Sequence, residues 1–523
     1  MPKKTTKNQK IRRDIMEYSS LGTNLAYDPY ELRHGGMNDS MTSLRSVKPA
    51  DFPYEHDQGL RTRNICVAAL VVSWIIGIGL VGLAAAILYM VSQHRFDDTY
   101  WTMPHMGAQA VPLAINLLLM LLEHSVGYIH TVSLRWSLLR DGRLTFNSNL
   151  RLLSSARTSA PNRWYSNIFI IACITMSYAS ASLLFWHSNR NNSVSDVFRN
   201  ENDYVSFGGI PILFLGLGIL GMTAISTWAL ASTNIPSWSS SPLDTALAAK
   251  NAGGVYRQPY RSMLAVHDRQ QPNRAVYPKR RQRSAWRAHW EVKWVLILLW
   301  LLVFICFIWA GVIHKMVKTL RPEWSDFGSW SLLPNNRTYA FTWKPTIGGD
   351  TTRSLILILL YATLQGPLTF GLHCAELEMN LSRDESFWRK AASSNGCKLD
   401  KYDPIWAAFT SWQSIFLAFL KPVMHWVFGL AVQINNGKVY ISAVQTIYLA
   451  MLATICASTV TFVSARRPKG PQPAAFGHLQ TLVDLVDDWS ATMYWGHKAD
   501  GWPCHAGTAP HELPTIRMDA VYA

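Results

Sequence analysis

The chain has 523 residues, 49% of them hydrophobic and only 16% charged, with a formal net charge of +16. Soluble globular proteins carry about 25% charged residues, and here the shortfall lies in long apolar runs, which exclude an ordinary soluble chain. The Lys and Arg gather in loops beside those runs, where they set topology and attract anionic lipid. No nucleic-acid-binding motif accompanies them, so a nucleic-acid partner is excluded as well.

Residues 1–64 hold 11 Lys/Arg and 8 Asp/Glu and read as a disordered cytoplasmic tail. They lack the short apolar core of a cleavable signal, so the first span is expected to direct its own insertion. Eight apolar spans follow, at 65–91, 108–134, 165–186, 207–231, 292–313, 353–374, 412–434 and 439–463. Several exceed the roughly 20 residues that cross a bilayer as a helix, and Trp or Tyr marks many ends. The expected fold is an all-α polytopic transmembrane helix bundle, with membrane halves at 65–231 and 292–463. A basic cytoplasmic loop at 232–291 separates them, and a cytoplasmic tail at 464–523 follows. Lys421, Pro422 and His425 interrupt 412–434, leaving a spanning or a re-entrant helix open there. NNGK at 435–438 reads as a tight turn into the last span.

Loop charge orients the chain. The 135–164 loop has six Arg against one Asp, and 232–291 has ten Lys/Arg against three acids. Both are expected on the cytoplasmic side, as are both termini. The sequons at Asn191 and Asn336 then fall on outer loops as glycosylation sites. Asn380-Leu-Ser falls inside and is expected to stay unmodified. These features predict a multi-pass protein of the plasma membrane or another secretory-pathway membrane, with anionic lipid at its cytoplasmic face.

A weak internal echo links HTVSLRWSLLRD at 130–141 with HCAELEMNLSRD at 373–384. His130 aligns with His373, Leu134 with Leu377, Leu138 with Leu381, Arg140 with Arg383 and Asp141 with Asp384. SPLDTAL at 241–247 and FGHLQTLV at 476–483 form a fainter pair. Two parallel four-helix repeats account for both echoes, and coincidence in biased sequence accounts for them equally well.

Chemistry is sparse. Glu123, Gly127 and His130 share one helical stripe, with His124 beside them. A charge at mid-bilayer costs several kcal/mol unless it is paired, protonated or hydrated. Lys421, near the middle of span seven, is the expected partner of Glu123, and His425 lies one turn further on. With His373, these residues form either a polar pathway or a packing cluster, the latter being the commoner role.

In the tail, residues 476–497 are expected to form an amphipathic helix with Asp484, Asp487 and Asp488 on its polar face, docking on the basic 279–287 segment. His497, Cys504, His505 and His511 are metal-capable but lack a zinc-finger spacing, so no metal is assigned. Five of the seven cysteines lie in or at the edge of spans, which is no disulfide framework. No phosphate-binding Gly-rich loop, GxSxG, HExxH or carboxylate pair is present, and no cofactor is indicated.

SLRWSLLRDGRLTFNSNLRLL followed by PNRW, IPSWSSSPLDTALA, and GHLQTLVDLVDDW followed by MYWGHK resemble motifs of large multi-span membrane proteins of filamentous fungi. The resemblance runs from the first span to the end of the chain. It implies a fungal integral membrane protein and brings with it neither an activity nor catalytic residues. Three function classes follow in order: a transporter- or channel-like protein using the polar stripe, a membrane scaffold or receptor-like protein acting through its loop and tail, and a membrane enzyme.

Overall fold

The computed structural model describes residues 55–93, 101–187, 202–271, 275–320, 322, 328–335, 337–344, 350–399, 410–435 and 438–523. The sequons at Asn191 and Asn336 lie outside them, as does most of the expected N-terminal tail. Its last residues are already docked: Trp238 N–H donates to the Gln58 carbonyl (2.9 Å), and Ser237 Oγ to that of Asp57 (2.6 Å).

The apolar runs form long helices: α1 (Leu60–Ser92), α2 (His105–Arg140), α3 (Trp164–Ser182) and α4 (Gly209–Ser232). After a short α5 (Pro242–Asn251) come α6 (Trp290–Leu320), α7 (Asp350–Arg389), α8 (Trp412–Ala431) and α9 (Ala443–Ala465). Seven of these are long and apolar enough to cross a membrane, so the chain is a polytopic helical membrane protein. The helix outside that set is α3, whose ends carry Ser, Asn and Tyr. Lys421, Pro422 and His425 do not break α8, which runs unbroken from Trp412 to Ala431. Pro112, Pro367 and Pro422 all sit inside helices, which a membrane bundle tolerates because neighbouring groups satisfy the freed carbonyls.

The two sets of four helices share one packing pattern. The main partner of α1 is α4, and that of α6 is α9; α2 and α3 pack on α4, and α7 and α8 on α9. Between the sets, α3 packs on α7 and α2 on α8. At one end of the bundle each set carries a three-stranded antiparallel sheet. In the first, β1 (Trp101–Pro104), β2 (Phe185–His187) and β3 (Asn202–Phe207) lie in the order β1-β3-β2. In the second, β4 (Ala340–Trp343), β6 (Val432–Asn435) and β7 (Lys438–Ser442) lie in the order β4-β7-β6. Each sheet joins a strand preceding its set's second helix to a hairpin between its third and fourth. The expected turn at 435–438 belongs to such a hairpin, with Asn435 paired to Lys438.

At the other, basic end, α2 and α7 run beyond the bundle and organise a folded cap from residues 141–163, 233–289, 390–399 and 466–523. Its own core includes Leu243, Trp388, Cys397, Leu482, Trp495 and Tyr522. Asp384 of α7 sits at its centre and accepts from Asn147 Nδ2 (2.9 Å) and Ser148 Oγ (3.3 Å). Asn147 N–H donates to the Gly477 carbonyl, and Leu479 N–H to that of Thr145. Gly477 has φ +73°, and a Cβ there would meet Asp384 Oδ2 at 2.6 Å, so only glycine fits. The three motif segments quoted above thus meet one another here.

α5 opens on a capped first turn. Ser241 Oγ accepts from Asp244 N–H, and Pro242 occupies the first turn. Burial pushes the Asp244 carboxyl up to about 7, against the Ser239 hydroxyl that donates to it. The folded state therefore holds this proton more tightly than an unfolded chain, whose Asp titrates near pH ~4. The stability linked to it is complete below that pH and is lost as the pH rises to about 7. Asp244→Asn is expected to flatten that part of the pH profile, read as melting temperature against pH in detergent.

The helix expected over 476–497 is shorter. α10 spans Leu479–Leu485, and the chain then forms β8 (Thr492–Ala499) and β9 (His505–Ala509) in a sheet of order β5-β8-β9 with β5 (Cys397–Lys398). The Asp run ends the helix by bonding backbone outside it: Asp487 accepts from Thr508 N–H (2.6 Å) and Asp488 N–H (3.0 Å). Its acids do not reach 279–287. Asp484 pairs with Arg261 (3.3 Å), and Asp487 with Lys498 (2.9 Å) and His505 (3.0 Å). The 279–287 segment instead lies along 468–471, through Gln282 N–H to the Pro468 carbonyl and Gly470 N–H to the Arg280 carbonyl, both 2.9 Å.

Candidate functional site: an ionic network in the bundle

Glu123 lies on the inner stripe of α2 and is 6% exposed. Its Oε1 is 3.1 Å from His373 Nε2 on α7 and 3.4 Å from Arg151 Nη2, which reaches in from the 141–163 segment. Its Oε2 accepts from Tyr178 OH on α3 (3.1 Å). His373 Nδ1 faces Glu376 Oε2, one helical turn on, at 3.7 Å. Glu376 Oε1 in turn takes the ammonium of Lys421 on α8. Arg151, Glu123, His373, Glu376 and Lys421 therefore form one string of alternating charge, drawn from both sets of helices.

The expected Glu123–Lys421 pair is replaced by two pairs bridged through His373. Two residues outside the candidate set account for the change. Arg151 belongs to a segment that reads as a polar connection, and Glu376 lies two residues past the predicted end of span six. The signal available for Glu376 was the His-x-x-Glu spacing, which puts both side chains on one helical face. For Arg151 it was Gly127. A Cβ at Gly127 would lie 1.9 Å from Arg151 Nη1, so the missing side chain is the seat of the guanidinium.

His425 sits one turn beyond Lys421. Gln365 Nε2 donates to its Nδ1 (2.8 Å), and its ring stacks on Tyr178 with centroids 3.8 Å apart and planes 7° from parallel. Tyr178 thereby ties His425 to Glu123. His130 stands apart from the string, its Nε2–H donating to the Pro161 carbonyl (3.2 Å), which fastens α2 to the cap. His124 is exposed, yet it lies within the field of Glu376, Lys421, Glu123 and Arg151.

The arithmetic of charge singles out one residue. Two carboxylates balance Arg151 and Lys421, so the string is neutral with His373 as imidazole and +1 with it as imidazolium. His373 has a carboxylate at each ring nitrogen, which suits a group that takes a proton on one side and gives it up on the other. Burial is uneven. The Glu123, His373 and Lys421 side chains are 6 to 7% exposed, whereas that of Glu376 is 28% exposed. The string is deepest at Glu123 and most exposed at Glu376, near His124. Among the described residues, the one convergence of His, Cys and acid side chains at metal-binding distances is His497, Asp500 and Cys504 in the cap, away from this network.

No protein-family model, curated protein or solved structure matches the chain.

Proposed function

We propose that this is a transporter- or channel-like protein of eight spans, built as two parallel four-span halves, with the Glu123–His373–Glu376–Lys421 string as its proton-handling element. The observation that carries this is the string itself: titratable groups from both halves, linked end to end at their contact, with one end exposed. Parallel repeats in carriers place their sites at the repeat interface, and packing glue would have no need of an open end. The shared helix neighbours, the matching strand orders and the alignment of His130 with His373 support duplication. On that basis α3 counts as a span, occupying in the first half the place of α8 in the second.

A proton entering at Glu376 passes to His373 Nδ1 and leaves from Nε2 to Glu123, while Arg151 and Lys421 hold the carboxylates in place and the Tyr178 hydroxyl donates to Glu123. The basic end faces the cytoplasm by its loop charge. The exposed Arg280, Arg281, Arg283, Arg466 and Arg467 would meet anionic lipid there. The fungal affinity rests on motif segments that meet in the cap.

The test is proton flux in liposomes reconstituted with the purified protein, under a pH gradient and read by an internal pH dye. Flux above that of empty liposomes, lost in a His373→Gln variant that remains folded at the assay temperature, is the expected result. Wild-type flux no greater than that of empty liposomes contradicts the proposal.

The folded cap favours a second reading, a membrane scaffold or receptor-like protein. The cap has a core cluster of its own beside cap residues such as Phe146, Val266 and Phe476 that join the bundle core, more than short connections between spans require. In that case partners are captured through the cap, and His373→Gln changes nothing but stability.

A further inference from the structure

The β8–β9 hairpin gathers three metal-capable side chains that the network in the bundle does not use. His497 ends the regular part of β8, Asp500 lies in the turn and Cys504 immediately precedes β9. One ligand atom from each lies within 4.8 Å of the other two, and His497 Nε2 is 3.3 Å from Asp500 Oδ1. His497 and Cys504 are buried, while the Asp500 side chain is 71% exposed.

The far side of the imidazole is already committed. Its Nδ1 is 2.8 Å from the Tyr522 hydroxyl, and that oxygen also accepts from Arg517 N–H (3.1 Å). With Nδ1–H donating to Tyr522, Nε2 carries the lone pair and turns it toward a carboxylate and a thiol. Three electron-pair donors then converge, an arrangement suited to a cation. The outer hydrogen bond fixing the histidine tautomer is the usual support of a metal-binding imidazole. The frame is firm as well. Tyr522 exchanges backbone hydrogen bonds with Val276, Cys504 N–H donates to the Val521 carbonyl (2.8 Å), and Ala523 N–H donates to that of Cys504 (3.1 Å). Two contacts compete: the half-exposed Arg517 guanidinium is 2.9 Å from Asp500 Oδ1, and the Cys504 thiol donates to the Gly501 carbonyl (3.3 Å).

We infer that His497, Asp500 and Cys504 form a binding site for a divalent metal ion of the zinc class, with a fourth position open to water. Imidazole, carboxylate and thiolate together make a borderline-soft set suited to zinc or cobalt rather than to magnesium or calcium. Binding releases the thiol proton and clips the hairpin to the C-terminal residues.

The test uses the full-length protein in detergent, titrated with Co(II) and followed by absorption. One equivalent is expected, giving a thiolate-to-cobalt charge-transfer band that Zn(II) abolishes by displacement. Cys504→Ser removes the band. Asp500→Asn, at an exposed position where folding is not at risk, weakens binding at least tenfold. Arg517→Gln frees the carboxylate and tightens binding severalfold. Absence of stoichiometric uptake by the wild type overturns the inference, and so does binding that Asp500→Asn and Cys504→Ser leave unchanged.

Discussion

Replacing Gly127 with leucine is expected to lower the melting temperature of the protein about as much as removing the Glu123 carboxylate does. Even the first added carbon would lie 1.9 Å from Arg151 Nη1, far inside contact distance, so the guanidinium must leave. Glu123 then loses its guanidinium partner inside the bundle, and Arg151 must find another place for its charge. Breaking a buried ion pair by removing one partner costs about 3–5 kcal/mol. Gly127→Ala is expected to produce the same effect in weaker form. The comparison that isolates the cause is Gly127→Leu in an Arg151→Met background. There the clash is with a flexible apolar side chain, and the additional loss from the leucine should fall to about 1 kcal/mol, the ordinary cost of overpacking. Thermal unfolding of the detergent-solubilised protein reads both. Equal losses in the two backgrounds would mean that the glycine serves something other than the Arg151 seat.

The second large effect concerns Glu123 itself. Glu123→Gln is expected to destabilise by about 3–5 kcal/mol, since it leaves Arg151 and His373 facing each other without the shared carboxylate. His373→Gln should cost less, because Arg151 and Tyr178 still hold Glu123. A double-mutant cycle between these two positions should show a coupling in the range of about 0.5–3 kcal/mol expected of directly contacting groups. The cycle between Glu123 and Lys421 should show a smaller one, because Glu376 takes the ammonium of Lys421. The Lys421–Glu376 cycle should couple as strongly as Glu123–His373. The order of the three couplings distinguishes the bridged string from a direct Glu123–Lys421 pair.

The membrane class, the long helices and the polar residues of the network could be read from sequence, because apolar length and a charge in the wrong solvent are local signals. Glu123, His373, Lys421 and His425 all carried that signal. Their pairing did not, since it depends on where α7 ends. The span criterion stops at 374, where hydropathy falls, but the helix continues to Arg389 and brings Glu376 under Lys421. The cap was hidden for the opposite reason. Its core residues are scattered through segments of mixed polarity, among them Leu138, Leu243, Trp388 and Leu482, and nothing in any one segment announces the others. In the tail, an apolar spacing that suits a helix misled because Asp487 and Asp488 bond to Thr508 across the hairpin, a contact with no local trace. The near-identical strand order of the two end sheets was likewise invisible, since those strands are three to six residues long.

The account turns on whether the string opens to water at its Glu376 end. His124 stands beside that end, exposed on α2, at a depth where a sealed bundle would present it to lipid. The decisive measurement is labelling of a His124→Cys variant, in sealed vesicles, by a charged thiol reagent that does not cross membranes. The wild type serves as background, because six of its seven free cysteines are buried and Cys306 is partly so. Labelling above that background from one side only, slowed when Lys421 and Glu376 are both neutralised, is the predicted result. A His124→Cys variant that folds normally and takes up no charged reagent from either side would contradict it, leaving the network as the fastening between the two halves and the cap as the working part of the protein.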